Sequence, residues 1–333
     1  MNSEYTILWI DDDSKRREKS NEWLGRDDRI EVLPFAPMDI ASELIGGDQN
    51  TLDQKNPDLA LVDWYLQTDG YGGDGPSIEG ILHDQYSDMP VYGFSGQYGD
   101  RQFMRESKQG ENRFEIITAP DKITAQDLID DIKYYRAIES KKGGGLSGIL
   151  DLLGADAEYK QKIQSILPQE FVEGIPEEEN YDPGGILRFA RWVRHRFIPQ
   201  PGLLWDDIWL ATKLGMTTGV LERYQEEFSQ AEYNGIFSHR TSRWWRPEVT
   251  SHLAELADEQ GESINRTWKD APTILGISQY EIAECVVCDN KYPETVAAGK
   301  ADEKPEFQVH FRCRNIEISR SSPFEDIRVL VRQ

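Results

Sequence analysis

Thr6-Ile7-Leu8-Trp9-Ile10-Asp11-Asp12-Asp13 is a run of strand length, apolar from Ile7 to Ile10, that closes on three carboxylates. Its pattern recurs downstream as Ile30-Glu31-Val32-Leu33, Leu59-Ala60-Leu61-Val62, Val91-Tyr92-Gly93-Phe94 and Phe114-Glu115-Ile116-Ile117. Each run is short and mostly apolar, as a strand covered on both faces of a parallel sheet should be. Longer mixed stretches lie between them, with helical patterns over residues 14–24 and 125–138. Five strands alternating with helices predict an α/β domain over residues 1–140, a flavodoxin-like, doubly wound parallel sheet.

In such a sheet, ligands bind beyond the carboxyl ends of the strands. Here those ends carry Asp11-Asp12-Asp13 after the first strand, Asp63 after the third and Ser95-Gly96 after the fourth; Lys122 follows the fifth. Clustered carboxylates repel one another, and a hard divalent cation such as Mg²⁺, which takes oxygen ligands, relieves the repulsion. The same ion neutralises charge on a transferring phosphoryl group. A carboxylate can then attack to form an acyl phosphate, with Ser95 and Lys122 in reach of the new oxygens. The pattern therefore points to phosphoryl transfer onto a carboxylate.

The same residues resemble the response-regulator receiver family. The resemblance is carried by ILWIDD at residues 7–12, LALVDWYL at 59–66, PVYGFSG at 90–96 and, less closely, TAPDK at 118–122. It implies that Asp63 is the phospho-acceptor and that Asp11, Asp12, Asp63 and the Tyr65 carbonyl hold Mg²⁺. It makes Ser95 the switch hydroxyl and Lys122 the phosphate-pairing amine. It also implies a histidine kinase or phosphotransfer protein as partner, with no enzyme activity beyond self-phosphorylation. Two departures stand out. Receivers place the lysine directly before a proline, whereas here Pro120 comes first and Asp121 intervenes. The segment 67–77 is also longer and richer in glycine than usual.

Lys141-Lys142-Gly143-Gly144-Gly145 interrupts the alternation and reads as a flexible joint, so a domain boundary is expected there. Residues 146–260 read as mostly helical, and residues 261–333 as β-rich, with strand-like runs at 280–287, 307–319 and 327–331. Within the helical part, residues 207–228 suggest a helix-turn-helix: Leu210, Ala211 and Leu214 share a face, Gly215 suits the turn and Thr217 caps a second helix bearing Val220, Leu221 and Tyr224. Segments 233–237 and 243–246 are candidates for a winged hairpin. Arg223, Arg240, Arg243 and Arg246 are the candidate contacts to DNA or a protein partner. Glu222, Glu226 and Glu227 on the second helix would repel phosphate, which favours a protein partner over DNA.

All three cysteines fall near the C-terminus, in the arrangement Cys285-x-x-Cys288 and His310-x-x-Cys313. Two such pairs can close a structural Cys₃His zinc site; the alternative is that they are ordinary strand residues. His83, His195, His239 and His252 have no spacing that suggests catalysis. Nucleophile-elbow and phosphate-loop motifs are also absent from the sequence.

Composition bounds the rest. Hydrophobic residues are 38% of the 333, enough to build cores. The formal net charge is −23, and residues 1–140 hold 29 acidic against 14 basic side chains. Such a surface favours basic or metal-bearing partners over nucleic acid; the alternative is that it serves only solubility. No apolar run reaches membrane-spanning length, the first residues do not read as a secretion signal, and three cysteines make no disulfide framework. A cytoplasmic protein is expected, with a homodimer a candidate state. Two roles fit: a phosphorylation-controlled response regulator, or a receiver-like subunit or adaptor in a multi-protein assembly.

Overall fold

The computed structural model describes residues 3–45, 51–66, 73–100, 102–103, 114–177, 184–200, 202–265, 267–278, 282, 295–300 and 304–310. The chain divides into two compact units. One consists of residues 1–194 and 235–240, the other of residues 195–234 and 241–333.

The first unit is built on strands β1 (Tyr5–Ile10), β2 (Ile30–Phe35), β3 (Leu59–Asp63), β4 (Val91–Phe94) and β5 (Ile116–Thr118). They form one sheet in the order β2-β1-β3-β4-β5, and every neighbouring pair is parallel. This is the doubly wound, flavodoxin-like order, with its switch point between β1 and β3. Every residue of β3 and β4 is buried. Leu8, Ile10, Val62 and Val91 pack with Ile78 and Leu82 into one core.

Helices α1 (Ser14–Trp23), α2 (Pro37–Ile45), α3 (Thr51–Lys55), α4 (Gly75–Gln85) and α5 (Ala125–Ser140) accompany the sheet. Helix α1 is almost wholly polar, so its position depends on its ends. The Asp13 carboxylate caps it, accepting from the Lys15 and Arg16 N–H groups at 2.8 and 3.3 Å. Ser20 and, just past its end, the C-cap Leu24 are its buried anchors.

The stretch expected to be a flexible joint lies inside the first unit. Gly143 adopts φ +67°, and its N–H donates to the Ile175 carbonyl at 3.1 Å. Lys142 pairs with Asp88 at 2.8 Å. The glycine here makes a tight turn, because only it takes that φ without strain. Helices α6 (Gly145–Leu153), α7 (Lys160–Ile166) and α8 (Gly185–Trp192) follow within the same unit.

The second unit contains β6 (Leu204–Trp205) paired antiparallel with β7 (Trp244–Trp245), and helices α9 (Asp207–Leu214), α10 (Thr218–Leu221), α11 (Arg246–Gln260) and α12 (Thr267–Ile274). Trp205, Leu210, Leu214, Leu221, Phe228 and Leu253 are among its core residues. Strands β8 (Thr295–Lys300) and β9 (Lys304–His310) form an antiparallel hairpin. The expected strands at 280–287 and 327–331 lie outside the described residues, apart from Ile282, which bridges Met216.

The helix-turn-helix reading needs correcting in its second half. Helix α9, the αL turn at Gly215 and the Thr217 cap are present. The following helix, however, is a single turn that ends at Leu221, and residues Gln225–Ala231 form a 3₁₀ segment. That geometry eclipses positions three apart, which lets Phe228 and Ala231 enter the core together. The winged hairpin is reduced to one antiparallel bridge between Glu232 and Trp244. Residues 235–237, expected in its arm, belong to the first unit, which takes in residues 235–240.

Candidate functional site

Asp11 follows β1 and Asp63 ends β3. Ile10 pairs in register with Val62, so the two carboxylates lie side by side, one residue beyond the last paired row. Asp11 is fully buried and Asp63 nearly so. With half-buried Asp12 they offer three carboxylate oxygens within 4.8 Å of one another. Two backbone groups fix the cluster: the Asp13 N–H donates to Asp11 Oδ1 at 2.8 Å and the Tyr65 N–H to Asp63 Oδ1 at 3.3 Å.

Burial pushes the Asp63 carboxyl up to about 7, with the Arg16 charge opposing and Asp11 adding to the rise. Burial also raises Asp11, against the Asp13 N–H and Arg16, which lower it. Both shifts reflect negative charge held away from water. Asp11 Oδ2 is buried and accepts no hydrogen bond. An oxygen-only donor set with an unsatisfied buried oxygen suits a hard divalent cation such as Mg²⁺.

Ser95 immediately follows β4, whose Phe94 pairs with Asp63. Its hydroxyl is buried and accepts from the Gln97 N–H at 3.1 Å. Lys122 is placed otherwise than the resemblance implies. Pro120–Lys122 form a 3₁₀ turn, and the exposed Lys122 ammonium lies 5.6 Å from the centre of the Tyr98 ring. Among the described residues it makes no ion pair with Asp63.

Among the described residues, Arg16 is the cation paired with all three carboxylates. Its Nη2 lies 2.8 Å from Asp63 Oδ2, 3.1 Å from Asp11 Oδ1 and 3.7 Å from Asp12 Oδ1. The sequence reading missed this residue, although a signal was there. Arg16 stands three residues after the Asp13 cap, and a long side chain in a first helical turn points back past the helix N-terminus.

No protein-family model and no curated protein sequence matches the chain. Solved structures do. The signal receiver domain of the putative response regulator NarL from Mycobacterium tuberculosis is 18% identical, with 40% of this chain and 98% of that one covered, at a TM-score of 0.31. The receiver domain protein (CheY-like) from Methanospirillum hungatei JF-1 is 19% identical, over 39% and 92%, at 0.29. The signal receiver domain of an HD domain-containing protein from Pseudomonas fluorescens Pf-5 is 17% identical, over 38% and 88%, at 0.28. The N-terminal two-fifths of this chain is similar to response-regulator receiver domains.

Each of the other candidate residues that is described has its own setting. Arg240 belongs to the first unit and pairs with buried Asp131. Arg243 donates to the Ile198 carbonyl at 2.9 Å and the Thr241 hydroxyl at 2.7 Å. Arg246 lies over the Trp205 ring, and Arg223 is an exposed residue just after α10. Of the zinc set, Cys285, Cys288 and Cys313 lie outside the described residues, and only the backbone of His310 is described, at the end of β9. Among the described residues no helix is long and apolar enough to cross a membrane.

Proposed function

We propose that residues 1–140 act as a phospho-accepting receiver within a response-regulator-like protein, with Asp63 as the acceptor. The observation that carries this is the convergence of Asp63, Asp11 and Asp12 within 4.8 Å at the carboxyl ends of β1 and β3. An ionised Asp63 oxygen attacks the phosphorus of a phosphohistidine on a kinase or phosphotransfer protein, or of acetyl phosphate. The new oxygen–phosphorus bond forms as the bond to imidazole or acetate breaks, and the leaving group departs with its electron pair. Asp11 and Asp12, with the Tyr65 carbonyl, would hold Mg²⁺ beside the acceptor, where the ion supplies charge neutralisation. The Ser95 hydroxyl would donate to a phosphoryl oxygen and draw its loop inward. Residues 146–333 would carry the output, to a protein partner before DNA, because one helical turn at Thr218–Leu221 is too short to span a groove.

The test is incubation of the full chain with acetyl phosphate and Mg²⁺, read by intact mass. One added phosphoryl group is expected on the wild-type chain, and none on Asp63→Asn or with chelator present. An unmodified wild-type chain, or equal modification of the variant, overturns the reading. A second reading, an unphosphorylated receiver-like subunit of an assembly, is favoured by the pairing of Arg16 with Asp63 and the position of Lys122 over Tyr98. An unmodified wild-type chain would support it.

A further inference from the structure

We infer that Arg16 is a tethered counter-cation that competes with a divalent ion for the acidic site, so that metal binds only as the guanidinium leaves. The inference rests on the receiver reading of that site. Its basis is the placement of one nitrogen. Arg16 Nη2 alone reaches an oxygen from each of the three carboxylates, at 2.8, 3.1 and 3.7 Å. A divalent ion held by the same three carboxylates would take oxygens shared with, or next to, those the guanidinium holds, at about 2.0–2.1 Å for Mg²⁺. Two cations on the same three carboxylates repel each other at short range, so the guanidinium and the ion compete.

The arrangement sets one positive charge among three carboxylates, one of them fully buried. A guanidinium is weakly hydrated and always charged, so it is well suited to partial burial beside carboxylates. Arg16 also has an exit. Its side chain is 37% exposed, whereas those of Asp11 and Asp63 are 0% and 4% exposed. It is anchored through α1, whose N–H at Arg16 is held by the Asp13 cap, so the side chain can swing to solvent without movement of the backbone. Lys122, the amine that the receiver pattern would place here, does not pair with Asp63, and Arg16 takes the charge-balancing position.

Competition predicts that removing Arg16 strengthens metal binding. The test is calorimetric titration of Mg²⁺ into the full chain, into Arg16→Gln and into Lys15→Gln. Lys15→Gln makes the same charge change one residue away, at an exposed position. Arg16→Gln should bind Mg²⁺ about tenfold more tightly than wild type, equivalent to about 1.4 kcal/mol. Lys15→Gln should stay within about twofold of wild type, since exposed charges are screened. Should Arg16→Gln fail to fold, the wild-type Arg16 Nε–H resonance serves instead, and it should shift as Mg²⁺ saturates the site. Equal or weaker binding by Arg16→Gln, equal strengthening by Lys15→Gln, or an unmoved Arg16 resonance overturns the inference while leaving a metal site in place. No binding to any of the three proteins overturns the metal reading itself, and this inference with it.

Discussion

A carboxylate taken fully out of water is tolerated only when its charge is matched and its oxygens are occupied. Asp131 on α5 meets both conditions. Arg194 Nη2 lies 2.7 Å from its Oδ1, the Arg240 guanidinium grips Oδ2, and the Tyr92 hydroxyl donates to Oδ2 at 2.9 Å. Arg194 is itself spread over aromatic faces, with its guanidinium 3.9 Å from the centre of the Phe237 ring, and it also donates to the Tyr135 hydroxyl at 2.9 Å. Removing the acid leaves Arg194 buried and without its counter-charge. Asp131→Ala should therefore lower unfolding stability by about 3–5 kcal/mol, the usual penalty for breaking one side of a buried pair. Urea denaturation measures it, and a loss below about 1 kcal/mol would show that the network is dispensable. Arg240, read from sequence as a candidate contact to DNA or a partner, thus has a structural role in the first unit.

At the level of elements, capping decides where helices start, and one cap carries a pH signature. Asp206 accepts from the Trp209 N–H at 2.7 Å at the start of α9. Burial pushes its carboxyl above the ordinary value, outweighing that N–H and the Arg243 charge. An acid whose pKa is raised on folding contributes stability below its unfolded pKa and loses it as pH rises through the folded value. Asp206→Asn keeps the acceptor and loses the titration. Its urea midpoint should therefore gain on wild type as pH rises above the ordinary carboxylate range, and a difference that does not change with pH would refute the assignment. The strands of the sheet were legible because burial on both faces writes a short apolar run into the sequence; β4 falls on Val91–Phe94 as read. The acidic triad was legible because strand ends and carboxylates coincide. Arg16 was overlooked because a charge in a polar first turn reads as solvated unless the side chain's backward direction is followed. The single turn at Thr218–Leu221 was overlooked because Val220, Leu221 and Tyr224 keep helical spacing even though the chain changes to 3₁₀ geometry to bury Phe228 and Ala231.

For the whole molecule, the first compact unit draws on two separated stretches of chain, residues 1–194 and 235–240, and sequence pattern alone records none of that. Asp131 and Arg240 are 109 positions apart, and Glu115 and Arg191 are 76 apart. The buried Glu115 carboxylate lies 2.7 Å from Arg191 on α8. Asp88 receives both Lys142 and the Ile186 N–H, at 2.8 and 3.1 Å. Residues 1–140 contain the sheet and the acidic site, but Glu115 and Asp131 find their cationic partners beyond residue 140. A fragment of residues 1–140 should therefore unfold at a lower temperature than the full chain's first unit, and it should expose buried carboxylates that must be hydrated or protonated. Two buried acids without partners are each worth several kcal/mol, a large part of what holds a domain of this size together. Extending the fragment to residue 194 restores Arg191 for Glu115 and Arg194 for Asp131, leaving His239 and Arg240 still missing beside Asp131, and should recover most of the loss. Thermal melts of the two fragments decide the matter. Equal midpoints would mean that the receiver-like part is self-sufficient and that residues 141–194 merely rest on it.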